Sequence, residues 1–397
     1  YLAKNNFTKK MKVNFISYAD TDTNWNLEKV SFKNLTLLVG ASGVGKTQIL
    51  QTLLRLRSIS RGESVSGTKW DIEFATIDGS VYRWSGEYES KGKNILRFRD
   101  PDEDETKDVP NILEEKLFLN GSIIIDRNSE DIFFNGSKTV KLSQEKSVIN
   151  LLKEEDLISP AYTGFQRIIL SDQVESKKNP QRFNPDFLTK ERILKKYSDI
   201  NAIREADENI ITKLYLVSNN AKDVMESIKE KFIDIFPFVT DIKIAPLDFE
   251  DGDDTPSILK EIPFIQLKEK DVPDWIIQPQ ISSGMYRTLM HLSELYLCPE
   301  GTIILIDEFE NSLGINCIDE LTVDLQTSSQ RKLQFIITSH HPYIINQISF
   351  KNWKLVSRSG SNVITKDAET IVDFSKSKQE AFIQLTQLEE FTTGVTN

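Results

Sequence analysis

Apolar and polar positions alternate in two rhythms along the chain. Runs that are apolar almost throughout occupy residues 35–39, 302–306 and 333–338, the pattern of strands buried on both faces of a parallel sheet. Helical spacing predicts helices over 46–56, after Ser282-Ser283-Gly284 (with Leu289, Leu292 and Tyr296 in phase), over 316–327 and over 378–391. From Lys69 the rhythm shortens to period two, punctuated by tight-turn pairs. Residues 70–77 and 81–87 flank Asp78-Gly79, 117–119 and 122–126 flank Asn120-Gly121, and 132–134 and 139–142 flank Asn135-Gly136. Asp-Gly and Asn-Gly supply the positive φ angles of hairpin turns. A strand at 12–18 reaches the run at 35–39 through a polar connection containing Trp25. Residues 353–358 and 362–366 read as a strand pair and 264–267 as strand-like, whereas 143–237 reads as helical and charged.

This pattern predicts an α/β fold in three segments. A first lobe with an antiparallel β layer covers 1–145, a helical insertion covers 146–237, and a second lobe built on a parallel sheet covers 238–397. No internal repeat stands out.

Composition narrows the class. The 397 residues are 39% apolar and 27% charged, enough for a substantial core. No apolar run approaches the ~20 residues of a membrane span, and no secretory signal opens the chain. The first residue is Tyr1, so a short preceding piece is expected. Two cysteines, Cys298 and Cys317, form no ligand cluster and fit a reducing cytoplasm. A net charge of −11 argues against a protein that coats nucleic acid non-specifically. Lys177, Lys178, Arg182, Lys190, Arg192, Lys195 and Lys196 form a local basic cluster that could touch nucleic acid phosphates; balanced by Glu175, Asp186 and Glu191, it reads more simply as a solvated helix face. The acidic runs at 100–108 and 250–254 read as solvated loops.

The sharpest chemical signal follows the run at 35–39. Gly40-Ala-Ser-Gly-Val-Gly-Lys-Thr47 is G-x-x-x-x-G-K-[ST], the loop that joins a buried strand to a helix and cradles phosphate. Gly40, Ser42, Gly43 and Gly45 shape a backbone whose N–H groups point at the anion. Lys46 reaches the β- and γ-phosphates of a nucleotide, and the Thr47 hydroxyl ligates Mg²⁺. The following helix aims the positive end of its dipole at the same point. The run at 303–306 ends in Asp307-Glu308, where Asp307 can hold Mg²⁺ and Glu308 can polarise an attacking water. The strand beginning at Gln334 ends in Thr338-Ser339-His340-His341, and its position favours His340 over His341 as a γ-phosphate contact. His291 reads as a packing or surface residue. Ser282, Ser283 and Gly284 open a helix with an anion-binding end, or simply cap it.

In this order the motifs resemble the ABC-type ATPase head, with Ser282-Ser283-Gly284 in the place of the family's signature and 310–314 following the acidic strand. Ser283 and Met285 depart from the commoner serine-glycine-glycine-glutamine run. The resemblance implies a glutamine loop after the first lobe, for which Gln144 is the candidate and a Mg²⁺ contact its role. It also implies an adenine-stacking aromatic, for which Phe15, Tyr18 and Trp25 compete. The Asp307-Glu-Phe-Glu310 and Thr338-Ser-His-His-Pro342 runs look like the SMC-like, OLD-like branch, most similar to PtuA-type ATPases of Septu-like and retron-linked antiphage systems. OLD-family nucleases carry a TOPRIM domain after the ATPase. Only about fifty residues follow His340 here, so if DNA is cut, another chain is expected to cut it.

What the resemblance implies is a cytoplasmic ATPase whose heads pair around two ATP, each phosphate loop facing the other copy's Ser282–Gly284. The expected partner is an HNH-type nuclease, with or without a reverse transcriptase and its RNA and DNA, and no membrane. A DNA-repair ATPase of the RecF or SMC-like kind, binding DNA itself, stands as the alternative. The motor subunit of a transporter stands further back.

Overall fold

The computed structural model describes residues 11–92, 109–171, 190–247, 262–311, 313, 314, 317, 321, 322, 331–371 and 378–396. Both acidic runs, Lys177, Lys178, Arg182 and most of the expected helix at 316–327 lie outside them. The chain divides into two compact units, one of Tyr1–Leu170, Glu300–Phe309 and Ser329–Asn397, the other of Ser171–Pro299 and Glu310–Ser328. This differs from the three-segment division expected from the sequence. The late strands belong with the phosphate loop because they pair beside its strand.

The first unit opens with β1 (Lys12–Asp20), β2 (Trp25–Ser31), β3 (Leu35–Val39), β4 (Thr68–Ala75) and β5 (Val81–Tyr88). It continues through β6 (Ile112–Leu119), β7 (Ser122–Arg127), β8 (Ile132–Phe134), β9 (Ser137–Lys138) and β10 (Ile168–Leu170). In the second unit β11 (Val239–Pro246), β12 (Pro263–Glu269) and β13 (Ile276–Ile277) form a small antiparallel sheet. The first unit resumes with β14 (Ile303–Ile306), β15 (Gln334–Thr338), β16 (Trp353–Ser359) and β17 (Asn362–Asp367).

One sheet takes all the strands of the first unit, in the order β10-β14-β15-β3-β16-β17-β2-β1-β4-β5-β6-β7-β8-β9. From β10 to β16 the pairs are parallel. Here β3, β14 and β15 are buried at every position, which is why their sequences are apolar throughout. From β2 through β1 and β4 to β9 the pairs are antiparallel, and β4 and β5 alternate buried and exposed positions. The turns at Asn120-Gly121 and Asn135-Gly136 hold positive φ at both residues, as their sequences predict. The helix Lys46–Ser60 buries Ile49, Leu50, Leu53, Leu56 and Ile59. Their spacing is one face of a helix.

Three parts of this sheet depart from the expected elements. The strand read at 139–142 is not formed, and β9 occupies Ser137–Lys138 directly after the turn. Trp25 begins strand β2 and is not part of a connection, and β10 lies inside a stretch read as helical. A buried glutamine ties the layers together. Gln334 Oε1 accepts from Val13 N at 2.8 Å, while its Nε2 donates to Val13 O at 2.9 Å and Lys33 O at 3.0 Å. The side chain pairs with backbone as a further strand would.

Under the β layer, Glu115 and Arg127 face each other across β6 and β7, both almost fully buried. The Glu115 carboxylate accepts from Trp84 Nε1 at 2.8 Å, Val148 N at 2.9 Å and Arg127 Nη1 at 3.3 Å. Arg127 in turn donates to Lys146 O and Ser143 O. The pair thus fastens residues 143–148 beneath the strands.

The second unit is built around the helix Ser283–Leu297, buried on nearly every side. His291 is buried within it, the packing and not the surface half of the expectation. Its ring joins a hydrogen-bond chain: Arg287 Nε donates to His291 Nε2 at 3.4 Å, and His291 Nδ1 meets Ser171 Oγ at 2.9 Å. Ser171 donates onward to Glu294, which completes the chain. Arg192, Lys195 and Lys196 are exposed on the short helix Lys190–Lys196, in keeping with a solvated face.

Candidate functional site

Strand β3 ends at Val39 between β15 and β16, and the chain turns there into Gly40–Thr47. Gly40 has φ +146°, and a Cβ on it would stand 2.4 Å from Val356 O of β16. Gly45 has φ +109°, and a Cβ there would stand 2.8 Å from Val363 of β17. These close approaches are what glycine makes possible. Gly43 faces open space on the other side, and Ser42 is exposed. Gly45 also N-caps the helix Lys46–Ser60 without a side-chain cap and without an acid in the first turn. The first N–H groups of that helix therefore have no side-chain acceptor of their own. Lys46 is buried, its Nζ donating to Gly40 O and Ala41 O at 2.8 Å each.

The acidic pair arrives on the neighbouring strands. Thr47 Oγ1 donates to Asp307 Oδ1 at 3.2 Å, joining the phosphate loop to the end of β14. Thr338, the last residue of β15, donates its hydroxyl to the same Asp307 oxygen at 2.5 Å and accepts from Glu308 N at 2.8 Å. Phe309 N donates to Thr338 O at 3.0 Å. Glu308 is exposed with φ +45°, a conformation that costs a non-glycine residue roughly 1–3 kcal/mol and concentrates at functional sites. Thr338 pins both acids, a role the sequence reading did not assign.

That pinning is testable. Thr338→Val keeps the shape but removes both hydroxyl bonds. ATP turnover should then fall about 10–100-fold, the usual effect of losing an outer-shell partner, while affinity for ATP changes little. Unchanged turnover in a steady-state assay would remove Thr338 from the site.

The remaining expected residues separate into those the structure places and those it moves. His341 Nδ1 accepts from Tyr343 N at 3.2 Å and caps the helix Pro342–Gln347. His340 is exposed beside buried Ser339. Ser282 caps the helix Ser283–Leu297 by accepting from Met285 N at 3.2 Å, so its capping role is real. Ser282 and Ser283 are exposed, Gly284 is half-buried, and all three belong to the second unit.

Gln144 is displaced from the expected metal site. It is exposed, and its Nε2 donates to Ser129 O at 2.9 Å in the β layer. Its neighbours are tied to the far end of the phosphate-loop helix: Ser147 Oγ donates to Ile59 O, and Ser64 Oγ to Glu145 O. A helix of 15 residues is about 22 Å long, so Gln144 cannot reach an ion at Thr47. The first lobe leaves the sheet at the end of β10, and the next glutamine in sequence is Gln173, which lies outside the described residues. Of the three aromatics, Tyr18 packs on Trp25 at 5.9 Å and Phe15 lies under Lys29, all three buried. None presents an open face for a base to stack on.

Together these residues fit a triphosphate with a divalent cation. Positive-φ glycines frame a loop with open space at Gly43, uncapped helical N–H groups adjoin it, and a hydroxyl and a carboxylate lie side by side at Thr47 and Asp307. Thr47 and Asp307 would hold Mg²⁺, an oxygen-only donor set suited to that hard ion. Bound there, the ion would help to offset the negative charge of the phosphates.

The structure of an Smc head bound to the C-winged helix domain of ScpA is 14% identical, covering 90% of this chain and 98% of that one with a TM-score of 0.49. The Smc head with an extended coiled coil bound to the C-terminal domain of ScpA, from Pyrococcus furiosus, is 12% identical over 91% and 97%, with a TM-score of 0.46. The SMC head domain from Thermotoga maritima is 13% identical over 90% and 98%, with a TM-score of 0.41. No curated protein matches the chain. The family described as "AAA domain, putative AbiEii toxin, Type IV TA system" matches residues 35–346, from the strand that feeds the phosphate loop to the helix capped by His341. The chain belongs to that ATPase-domain family.

Proposed function

We propose that this chain binds Mg²⁺-ATP at Gly40–Thr47 and hydrolyses it, and that the hydrolysis cycle governs a partner nuclease in bacterial antiphage defence. One observation carries the catalytic part: Thr47, Asp307, Thr338 and Glu308 are joined by consecutive hydrogen bonds across the ends of three structural elements. Lys46 orients the phosphates, Thr47 and Asp307 hold the cation, and Glu308 accepts the proton of the attacking water. His340 adjoins this edge and contacts the γ-phosphate in this reading.

The regulatory part rests on less. The exposed Ser282 and Ser283 at a helix N-terminus support a second copy's phosphates as their ligand, giving a head-to-head dimer. The family's description as a putative toxin supports a defence setting. The PtuA-like motif runs favour an HNH-type nuclease as partner, with or without a reverse transcriptase.

Two measurements test this. The purified chain should hydrolyse ATP in a Mg²⁺-dependent manner, and Lys46→Ala should bind ATP at least roughly tenfold more weakly, the scale of one lost charge-assisted hydrogen bond. Equal affinity in that variant contradicts the site. A gentle pull-down of the tagged chain from its host should recover a small nuclease in stoichiometric amount. DNA or recombination proteins in its place would favour direct DNA repair.

A further inference from the structure

Three pieces of chain lie directly against the loop that cradles phosphate. Val356 of β16 stands behind Gly40, and Val363 of β17 stands behind Gly45. The third piece comes from the other end of the sequence. The short helix Glu389–Thr393 closes at Gly394, which has φ +76°, and Gly394 lies directly against the loop. A Cβ on Gly394 would stand 2.3 Å from Val44 Cγ1 and 3.1 Å from Ala41 Cβ.

What holds this segment is modest and specific. Arg358 N donates to Gly394 O at 2.8 Å, and Thr396 N donates to Arg358 O at 3.0 Å, a single parallel bridge added to the end of β16. Thr396 Oγ1 donates to Ser357 Oγ, and Lys366 Nζ to Glu390 Oε1 at 2.7 Å. Within 389–396 Gly394 is the one buried position, and Val395 beside it is 54% exposed. The segment therefore sits at the surface, and its one buried residue lies against the phosphate loop.

We propose that residues 389–396 are a latch that sets nucleotide affinity, with Gly394 as its positioning residue. Seated, the latch supports Ala41–Val44 from behind and keeps the loop in its phosphate-cradling form. Lifted, it leaves Val44 without that support and the loop loosens. Few bonds hold the segment, so anything that binds it or pulls it from β16 changes nucleotide binding without touching the site. The proposal rests on the nucleotide reading above.

The experiment measures binding of a fluorescent ATP analogue with Mg²⁺ to the full chain and to three variants. Gly394→Val, which collides with Val44, should raise the Kd roughly tenfold or more, as displacement of a positioning contact does. The unfolding midpoint without nucleotide should shift by no more than a few degrees, on the order seen for minor changes. Glu390→Lys, on the surface, should weaken binding to a smaller degree, and adding Lys366→Glu should restore it by re-forming the pair with reversed charges. That rescue keeps the test decisive if Gly394→Val fails to fold. Wild-type affinity in both single variants overturns the latch while leaving the nucleotide site intact. A wild-type chain that binds no nucleotide overturns both.

Discussion

Replacing Glu308 by glutamine is expected to slow ATP hydrolysis by about 10²–10⁴-fold, the range of general acid–base catalysis. The change removes the proton acceptor and keeps the side-chain shape. In the proposed reading the phosphate contacts come from other residues, namely the loop backbone, Lys46, Thr47 and His340. ATP affinity should therefore stay within a factor of about three, since uniform binding is untouched when only a transition-state role is lost. The backbone supports this separation. Glu308 N is held by Thr338 Oγ1 at 2.8 Å, a bond that does not use the glutamate side chain, so its unusual φ persists in the variant. Single-turnover hydrolysis together with equilibrium ATP binding reads both quantities. Turnover within a few-fold of wild type would move the base elsewhere, whereas loss of binding would mean that Glu308 holds the loop and does not act on water.

Much of this site is legible in the chain because its parts are local. The strand–loop–helix around Gly40–Thr47 needs only eight consecutive residues, and the hairpin pairs specify their own φ angles at Asn120-Gly121 and Asn135-Gly136. Features that depend on distant partners were not legible. Ile168–Leu170 is three apolar residues between a helix and a charged stretch, and its extended state comes from pairing with Ile303–Leu305, more than a hundred residues on. Gln144 has a plausible sequence neighbourhood, but its distance from Thr47 is set by how residues 143–148 dock under the β layer. Thr338 reads as the end of a strand until the fold brings Asp307 and Glu308 N to its hydroxyl. Nothing in the sequence marks Gly394, because its constraint is the side chain of Val44. The α/β class and the parallel arrangement of β3, β14 and β15 follow from composition and run length alone, since a strand buried on both faces must be apolar throughout. Which part of the chain joins which unit depends on pairings that no window of sequence contains.

The second large effect lies in the docking of residues 143–148, and it depends on pH. Burial pushes the Glu115 carboxyl up from its ordinary value of 4.5 to about 7, against the pull of Arg127, Val148 N–H and Trp84 N–H toward the charged form. A folded-state pKa above the unfolded one means that the folded chain holds an extra proton between the two values. The stability this group contributes is full below pH 4.5 and is lost as pH rises through 7, a fall of roughly 3 kcal/mol. Glu89 lies below its ordinary value, chiefly through its bond from Lys91. Asp78 is also lowered: burial alone would raise it, but bonds from Thr76 and Ser80 outweigh that. Their contributions fade only as pH falls through lower values, so the two windows are distinct. In Glu115→Gln the decline between pH 4.5 and 7.5 should disappear. Arg127→Met should do the opposite, because it leaves the carboxylate buried without its cation. It should cost about 3–5 kcal/mol at pH 8, the scale of a broken buried pair, and less at pH 5, where Glu115 is neutral. Urea unfolding of the three proteins at pH 5 and pH 8 measures these differences. Equal pH slopes in wild type and Glu115→Gln would mean that the Glu115 carboxylate stays ionised in the folded protein, with Arg127 as a full counter-ion.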